Sequence, residues 1–114
     1  MVIERGEVWW ADVGEPDGSE PGYRRPVVIV QSEAFNRSRV RTIIAVVLVT
    51  NLRLLEAPGN VLVPAKASGL PKDSVANVSH VITLDRDFLL DRTGRLRGQP
   101  MKDLEDGLRL VLGL

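Results

Sequence analysis

Seven consecutive apolar residues, Ile43 to Val49 ("IIAVVLV"), constrain this chain more than any other stretch. The run is far too short to span a bilayer, which takes about 20 apolar residues in a helix. Its β-branched content outweighs the helical alternative, so it predicts a strand over Arg41 to Thr50. A second unbroken run, "PVVIVQ" from Pro26 to Gln31, predicts another strand with burial on both faces. Two arginines, Arg24 and Arg25, stand directly before that proline. Fixed positive charge at the mouth of a buried strand has two readings: a tolerated loop end, or a guanidinium on a rigid mount that meets an anion.

The other elements follow from turn chemistry. "EVWWADV" (Glu7 to Val13) predicts a first strand, followed by a loop dense in Gly, Pro, Asp and Ser. Trp9 and Trp10 alternate to opposite faces of it, one toward the core and one free to line an interface or stack a base. "SEAFNRS" is a short helical turn capped by Ser32, or a loop. "LRLLEAPG" is an irregular connection, "NVLVPA" from Asn60 a short strand, and "KASGLPKDS" a loop. "SVANVSHVITLD" (Ser74 to Asp85) alternates, with Val75, Asn77, Ser79, Val81 and Thr83 on one side. "RDFLLDR" reads as one helical turn. The C-terminus is a helix with Pro100 in its first turn and Met101, Leu104, Leu108, Val111 and Leu112 on one face; Gly107 weakens it without breaking it. About five short strands and a terminal helix predict a single domain over residues 1–114, a mostly antiparallel, barrel-like sheet.

Cysteine is absent, so disulfides and thiolate metal sites are excluded, which suits a reducing cytoplasm. The N-terminus carries acids early and lacks the apolar run of a signal peptide. Formal net charge is zero, unlike a protein that coats nucleic acid non-specifically. The distribution is uneven. Residues 1–23 hold six acids against Arg5, a net −5, and residues 24–53 hold six arginines against Glu33, a net +5. An all-arginine excess of this kind either forms a phosphate-binding face or is cancelled by the acidic segment folded beside it.

Elimination narrows the chemistry. One histidine, His80, and no metal-ligand spacing leave no catalytic zinc site. His80 lies within an alternating strand, where a hydrogen-bonded structural role is expected rather than that of a catalytic base. No phosphate-cradling glycine motif occurs, so no nucleotide cofactor is expected. A metal-free arginine site suits RNA, which carries its own nucleophile in the 2′-hydroxyl. The enzyme then has to align that group, stabilise charge on the phosphorus centre and assist the leaving 5′-oxygen. Arginine's planar fork matches the non-bridging oxygens.

Four pieces in order, "RGEVWWADV", "GSEPGYRRPVVIVQS", "IIAVVLVTN" and "LPKDSVANVSHVITLD", resemble the MazF/PemK (Kid) family of toxin endoribonucleases. With the terminal helix the resemblance covers nearly the whole chain. It implies an α+β fold, a small SH3-like barrel of the CcdB–PemK type. It further implies a cytoplasmic homodimer with an RNA groove and a MazE-like antitoxin partner. The implied reaction is metal- and cofactor-free cleavage of single-stranded RNA to 2′,3′-cyclic phosphate and 5′-hydroxyl ends. The family's catalytic arginine before proline corresponds to Arg25, and its strand-end threonine to Thr50. Glu20 matches an acidic loop residue, able to orient Arg25, to take a proton from the 2′-hydroxyl, or simply to be solvated. Arg24 is a second phosphate contact. Gln31 and Asn51 flank the site as base readers, with Asn77 and Ser79 as further candidates. Arg37, Arg39 and Arg41, at period-2 spacing, either follow the RNA backbone or solvate a loop edge.

Two other readings share the fold: a CcdB-like topoisomerase poison, and an inactive member that only binds RNA or an antitoxin. CcdB-type poisons lack the arginine–proline and strand-end threonine and carry an aromatic near the C-terminus. This chain has Arg25-Pro26 and Thr50 and ends "VLGL".

Overall fold

The computed structural model describes residues 2–14 and 24–114. Its strands are β1 (Glu7–Asp12), β2 (Arg24–Ile29), β3 (Thr42–Val49), β4 (Val61–Val63), β5 (Ser74–Asp85) and β6 (Leu89–Arg95). They form one antiparallel sheet of order β4-β5-β3-β2-β1-β6, a half-barrel whose edges are β4 and β6. The two apolar runs, β2 and β3, therefore lie next to each other at the centre. Val27, Val28, Ile29, Ile43, Ala45 and Val46 are all fully buried, as runs without polar alternation require.

Each face of the sheet carries its own core. Trp9, Ala11, Val27, Ile29, Ala45 and Val47 pack with Ile3, Leu84 and Leu89 on one face. Val8, Val28, Val46 and Leu48 pack on the other with Val63, Leu70 and Leu104. The second core is roofed by helix α3 (Gly98–Leu112), which sends in Leu104, with Met101 and Leu108 beside it. Two shorter helices, α1 (Glu33–Asn36) and α2 (Ala65–Ser68), occupy the connections. Ser32 caps α1 by accepting from the Phe35 N–H, so the helical alternative for "SEAFNRS" holds.

Three features depart from the expectation. The segment read as one helical turn is a 3₁₀ turn (Arg86–Phe88) that runs into a sixth strand, β6. That strand shows little apolar patterning because it is an edge: only Leu89 is buried, and pairing with β1 holds the rest. The segment "KASGLPKDS" opens inside helix α2, which starts one residue earlier at Ala65 and ends at Ser68. The third departure is in β5, where Val81 pairs with Val46 but Ala76 pairs with Leu48. Four residues, Asn77 to His80, thus oppose Val47 alone, a bulge with three surplus residues. An odd surplus inverts the alternation. Val75 and Val81, expected on one side, face opposite cores through their partners Val49 and Val46. The bulge also leaves His80 exposed, and its side chain makes no hydrogen bond among the described residues, contrary to the structural role expected of it.

Gly107 has a packing reason. Any Cβ there would run into the backbone carbonyl of Gly59, whose own φ of +84° forms the turn before β4. The contact lets α3 lie directly on that turn. Gly107→Ala should therefore destabilise the protein by about 1–3 kcal/mol despite alanine's helix preference of about 1 kcal/mol. Urea titration measures this, and a gain in stability would contradict the packing.

Candidate functional site

Strand register decides which side chains meet at the site. Trp10 pairs with Pro26, Ala11 with Arg25 and Asp12 with Arg24, while β2 meets β3 through Val27 opposite Val47. Counting on in that register sets Arg25 level with Val49 and Arg24 level with Thr50, just past the end of β3. The start of β2 and the end of β3 form one rim of the sheet, and both arginines and Thr50 belong to it. Pro26 suits this mount because its fixed φ stiffens the strand immediately behind the arginines.

Alternation separates these side chains by face. Arg25 belongs to the face of Trp9, Val27 and Val49, and is half-buried. Arg24 belongs to the face of Trp10 and Pro26. Its guanidinium carbon lies 5.5 Å above the centre of the Trp10 ring, and its Nη2 donates to Asp91 Oδ2 at 3.3 Å. Thr50 lies on that side too: with Trp10, Pro26, Leu70, Pro71, Lys72 and Ser74 it lines a cleft of about 210 Å³. The arginine that shares Thr50's face is thus Arg24, with Arg25 across the strand. The resemblance set Arg25 and Thr50 together, and they share the rim but not a face. Glu20 lies outside the described residues.

The remaining candidates fall elsewhere. Gln31 is buried, and its amide is engaged inside the chain. Nε2 donates to Asn36 Oδ1 and to the Thr42 carbonyl, each at 3.0 Å, and Oε1 accepts from the Ile44 N–H at 3.3 Å. It ties β2 to β3 at the end away from Thr50, leaving nothing to read a base edge. Asn51 stands exposed beside Thr50, its Oδ1 capping a 3₁₀ turn by accepting from the Arg53 N–H at 3.1 Å. Asn77 and Ser79 sit in the β5 bulge and bond to each other at 3.0 Å. Arg37, Arg39 and Arg41 are at the opposite end of β3 from Thr50, with even Arg41 roughly 30 Å away at about 3.4 Å per residue. Arg41 is held there by Asp85 at 3.2 Å and Asp87 at 3.0 Å. The Asp87 backbone N–H, then Arg41, hold the Asp85 carboxyl below its usual range. The Arg41 pair is therefore intact at neutral pH and is lost only as pH falls through that lowered value. The basic excess of residues 24–53 is split between two ends of the sheet and does not form one face.

Sequence reading missed three contributors. Lys72 sits on the cleft rim with no ion pair among the described residues, inside a segment legible only as a loop. Asp91 holds Arg24 from β6, the strand that was not anticipated. Asn60 organises the β5 bulge: its Oδ1 accepts from the Val78 N–H at 3.0 Å, and its Nδ2 donates to the Leu54 carbonyl at 2.9 Å and to Asn77 Oδ1 at 3.3 Å. Among the described residues no three His, Asp or Glu side chains cluster as metal ligands, and no helix is long and apolar enough to cross a membrane.

A six-stranded half-barrel roofed by a C-terminal helix, with arginines mounted at a strand start, defines the class. Residues 4–112 match the model of the PemK-like, MazF-like toxins of type II toxin–antitoxin systems, and the chain belongs to that family. It is 47% identical over 114 residues to the endoribonuclease MazF6 of Mycobacterium tuberculosis, covering 100% of both chains. To the endoribonuclease EndoA of Bacillus subtilis it is 31% identical, covering 100% of this chain and 97% of the relative. Among solved structures, a mycobacterial endoribonuclease in complex with its cognate antitoxin superposes with a TM-score of 0.79 at 28% identity, covering 98% and 96% of the two chains.

Removing the Asn60 side chain should unsettle the strand beside the site. Asn60→Ala leaves the Val78 N–H without its acceptor, at a cost of about 1–3 kcal/mol. Amide exchange at Val78 should accelerate with it; unchanged protection there would show that the bulge is held otherwise.

Proposed function

We propose that this chain is a toxin acting in the cytoplasm as a sequence-specific, metal-independent endoribonuclease on single-stranded RNA. The observation that carries this reading is the shared rim: β1–β2–β3 register brings Arg24, Arg25 and Thr50 to one sheet end. An RNA strand crossing that rim meets side chains from both faces. The 2′-hydroxyl attacks the adjacent phosphorus, the bond to the 5′-oxygen breaks, and the products are a 2′,3′-cyclic phosphate and a 5′-hydroxyl. Arg25 and Arg24 neutralise charge developing on the non-bridging oxygens, and Thr50 donates its hydroxyl to one of them. Glu20 takes the 2′-hydroxyl proton, because a guanidinium is already protonated and has no site to accept one. The proton lost by the nucleophile is matched by one delivered to the leaving oxygen. Names of relatives support the activity, since MazF6 and EndoA are both called endoribonucleases.

The partners follow from the same reading. An antitoxin of the MazE kind binds the toxin, as the mycobacterial complex supports. Within one domain over residues 1–114, a mostly apolar groove of about 280 Å³ between the sheet and α3 is lined by Val30, Ile44, Val81, Leu108, Leu112 and Leu114, with Arg5, Glu105 and Arg109 beside them. Leu112 and Leu114 are exposed beside Ile44 and Val81, and the proposed homodimer buries them. Val81→Glu should give a monomer by analytical ultracentrifugation; a dimer unchanged in affinity would move the interface elsewhere.

The activity is tested by incubating purified protein with a long RNA of varied sequence in EDTA and mapping the cut ends. Discrete cuts bearing 5′-hydroxyl and cyclic-phosphate ends are expected. Arg25→Ala and Thr50→Ala should each reduce the rate by about 10²-fold or more with the fold intact. Loss of cutting in EDTA, restored by Mg²⁺, would overturn the mechanism, and full activity in either variant would overturn the residue assignment.

A further inference from the structure

The cleft beside Thr50 has a composition that the phosphate chemistry does not use. It is walled by an indole, two proline rings and Leu70, and its surface is almost wholly apolar. A phosphate has no reason to enter such a slot. At about 210 Å³ it is also smaller than the roughly 300–1,000 Å³ of drug-sized pockets, a size for one flat ring system. Lys72 stands on its lining, and Arg24 lies over the ring of Trp10, which forms one wall. Apolar walls with an aromatic surface, a lysine on the lining, an arginine over the indole and a hydroxyl at one side are complementary to one nucleotide: base within, phosphates outside.

On the endoribonuclease reading, we propose that this cleft is the subsite for a base flanking the scissile phosphate. The unstacked base lies against Trp10 between Pro26 and Pro71, while Arg24 and Lys72 engage the phosphates on either side of its sugar. The slot presents scarcely any polar surface, so it selects by shape and stacking rather than by hydrogen bonds to base edges. It anchors the strand at Thr50, and the sequence preference of the flanking position is set by which ring fits. Asp91 is the positioning residue of this subsite, holding the Arg24 guanidinium over the ring.

The test uses an oligonucleotide spanning the mapped cut site, with a 2′-deoxy sugar at the cut so that it binds without being cleaved. Versions carrying an abasic residue on each side of the cut are compared by fluorescence anisotropy. In the wild-type protein one abasic position should weaken binding about fivefold or more, the scale of one base–aromatic stack. In Trp10→Leu that same substitution should cost less than twofold. Should Trp10→Leu fail to fold, the Trp9→Phe protein reads the contact directly: the intact oligonucleotide quenches Trp10 emission and the abasic one does not. An equal abasic loss with and without Trp10, or no loss at either position, overturns the subsite while RNA cutting continues. Absence of any cutting in the mapping experiment removes both the ribonuclease reading and the subsite that rests on it.

Discussion

The register shared by β1, β2 and β3 is the constraint on which the rest of the structure depends. Both faces of these strands are packed, with Trp9, Val27 and Val47 on one side and Val8, Val28 and Val46 on the other. A slip of one residue would exchange the two faces and put Pro26 in the place of the buried Val27. The rim is therefore set by the core: Arg24 and Arg25 cannot move along β2 without dismantling both packed layers. Gln31 reinforces this at the far end by bonding the backbone of β3 on either side of Ile43. An arginine pair mounted this way keeps its position on the strand backbone alone.

The two faces divide the labour at the rim. On one face Arg25 stands beyond the core that contains Trp9. On the other, Trp10 and Thr50 line an apolar slot, and Arg24 lies over the Trp10 ring. Charge therefore sits at the edge and apolar surface behind it, an order suited to a strand whose phosphates run along the rim while a base turns inward. The acidic partners on the far end, Asp85 and Asp87, hold Arg41 in place there.

The central strands were legible because their apolar runs leave one solution, and the first-turn proline and periodic leucines gave the terminal helix. Legibility failed where non-local pairing replaced local pattern. Strand β6 has one buried residue and exists because β1 offers it a partner. The β5 bulge is written in Asn60, seventeen residues from Asn77, so the alternation of that segment misassigned half its side chains. At the site, the arginines before proline and the threonine were visible in the chain. Their distribution between faces depended on a register that only the folded sheet defines, as did the contribution of Lys72 and Asp91. Likewise the arginine excess looked like one patch in sequence because residues 37–41 and 24–25 are close along the chain, whereas β3 holds them roughly 30 Å apart.

The central claim is that the scissile phosphate binds at the β2–β3 rim. It is tested most directly by following the arginine Nε–H resonances as an uncleavable oligonucleotide, 2′-deoxy at the cut, is added. The account predicts that Arg24 and Arg25 shift and slow their exchange, while Arg37, Arg39 and Arg41 stay where they are. Shifts confined to the Arg37–Arg41 end, with the rim arginines unmoved, would contradict it.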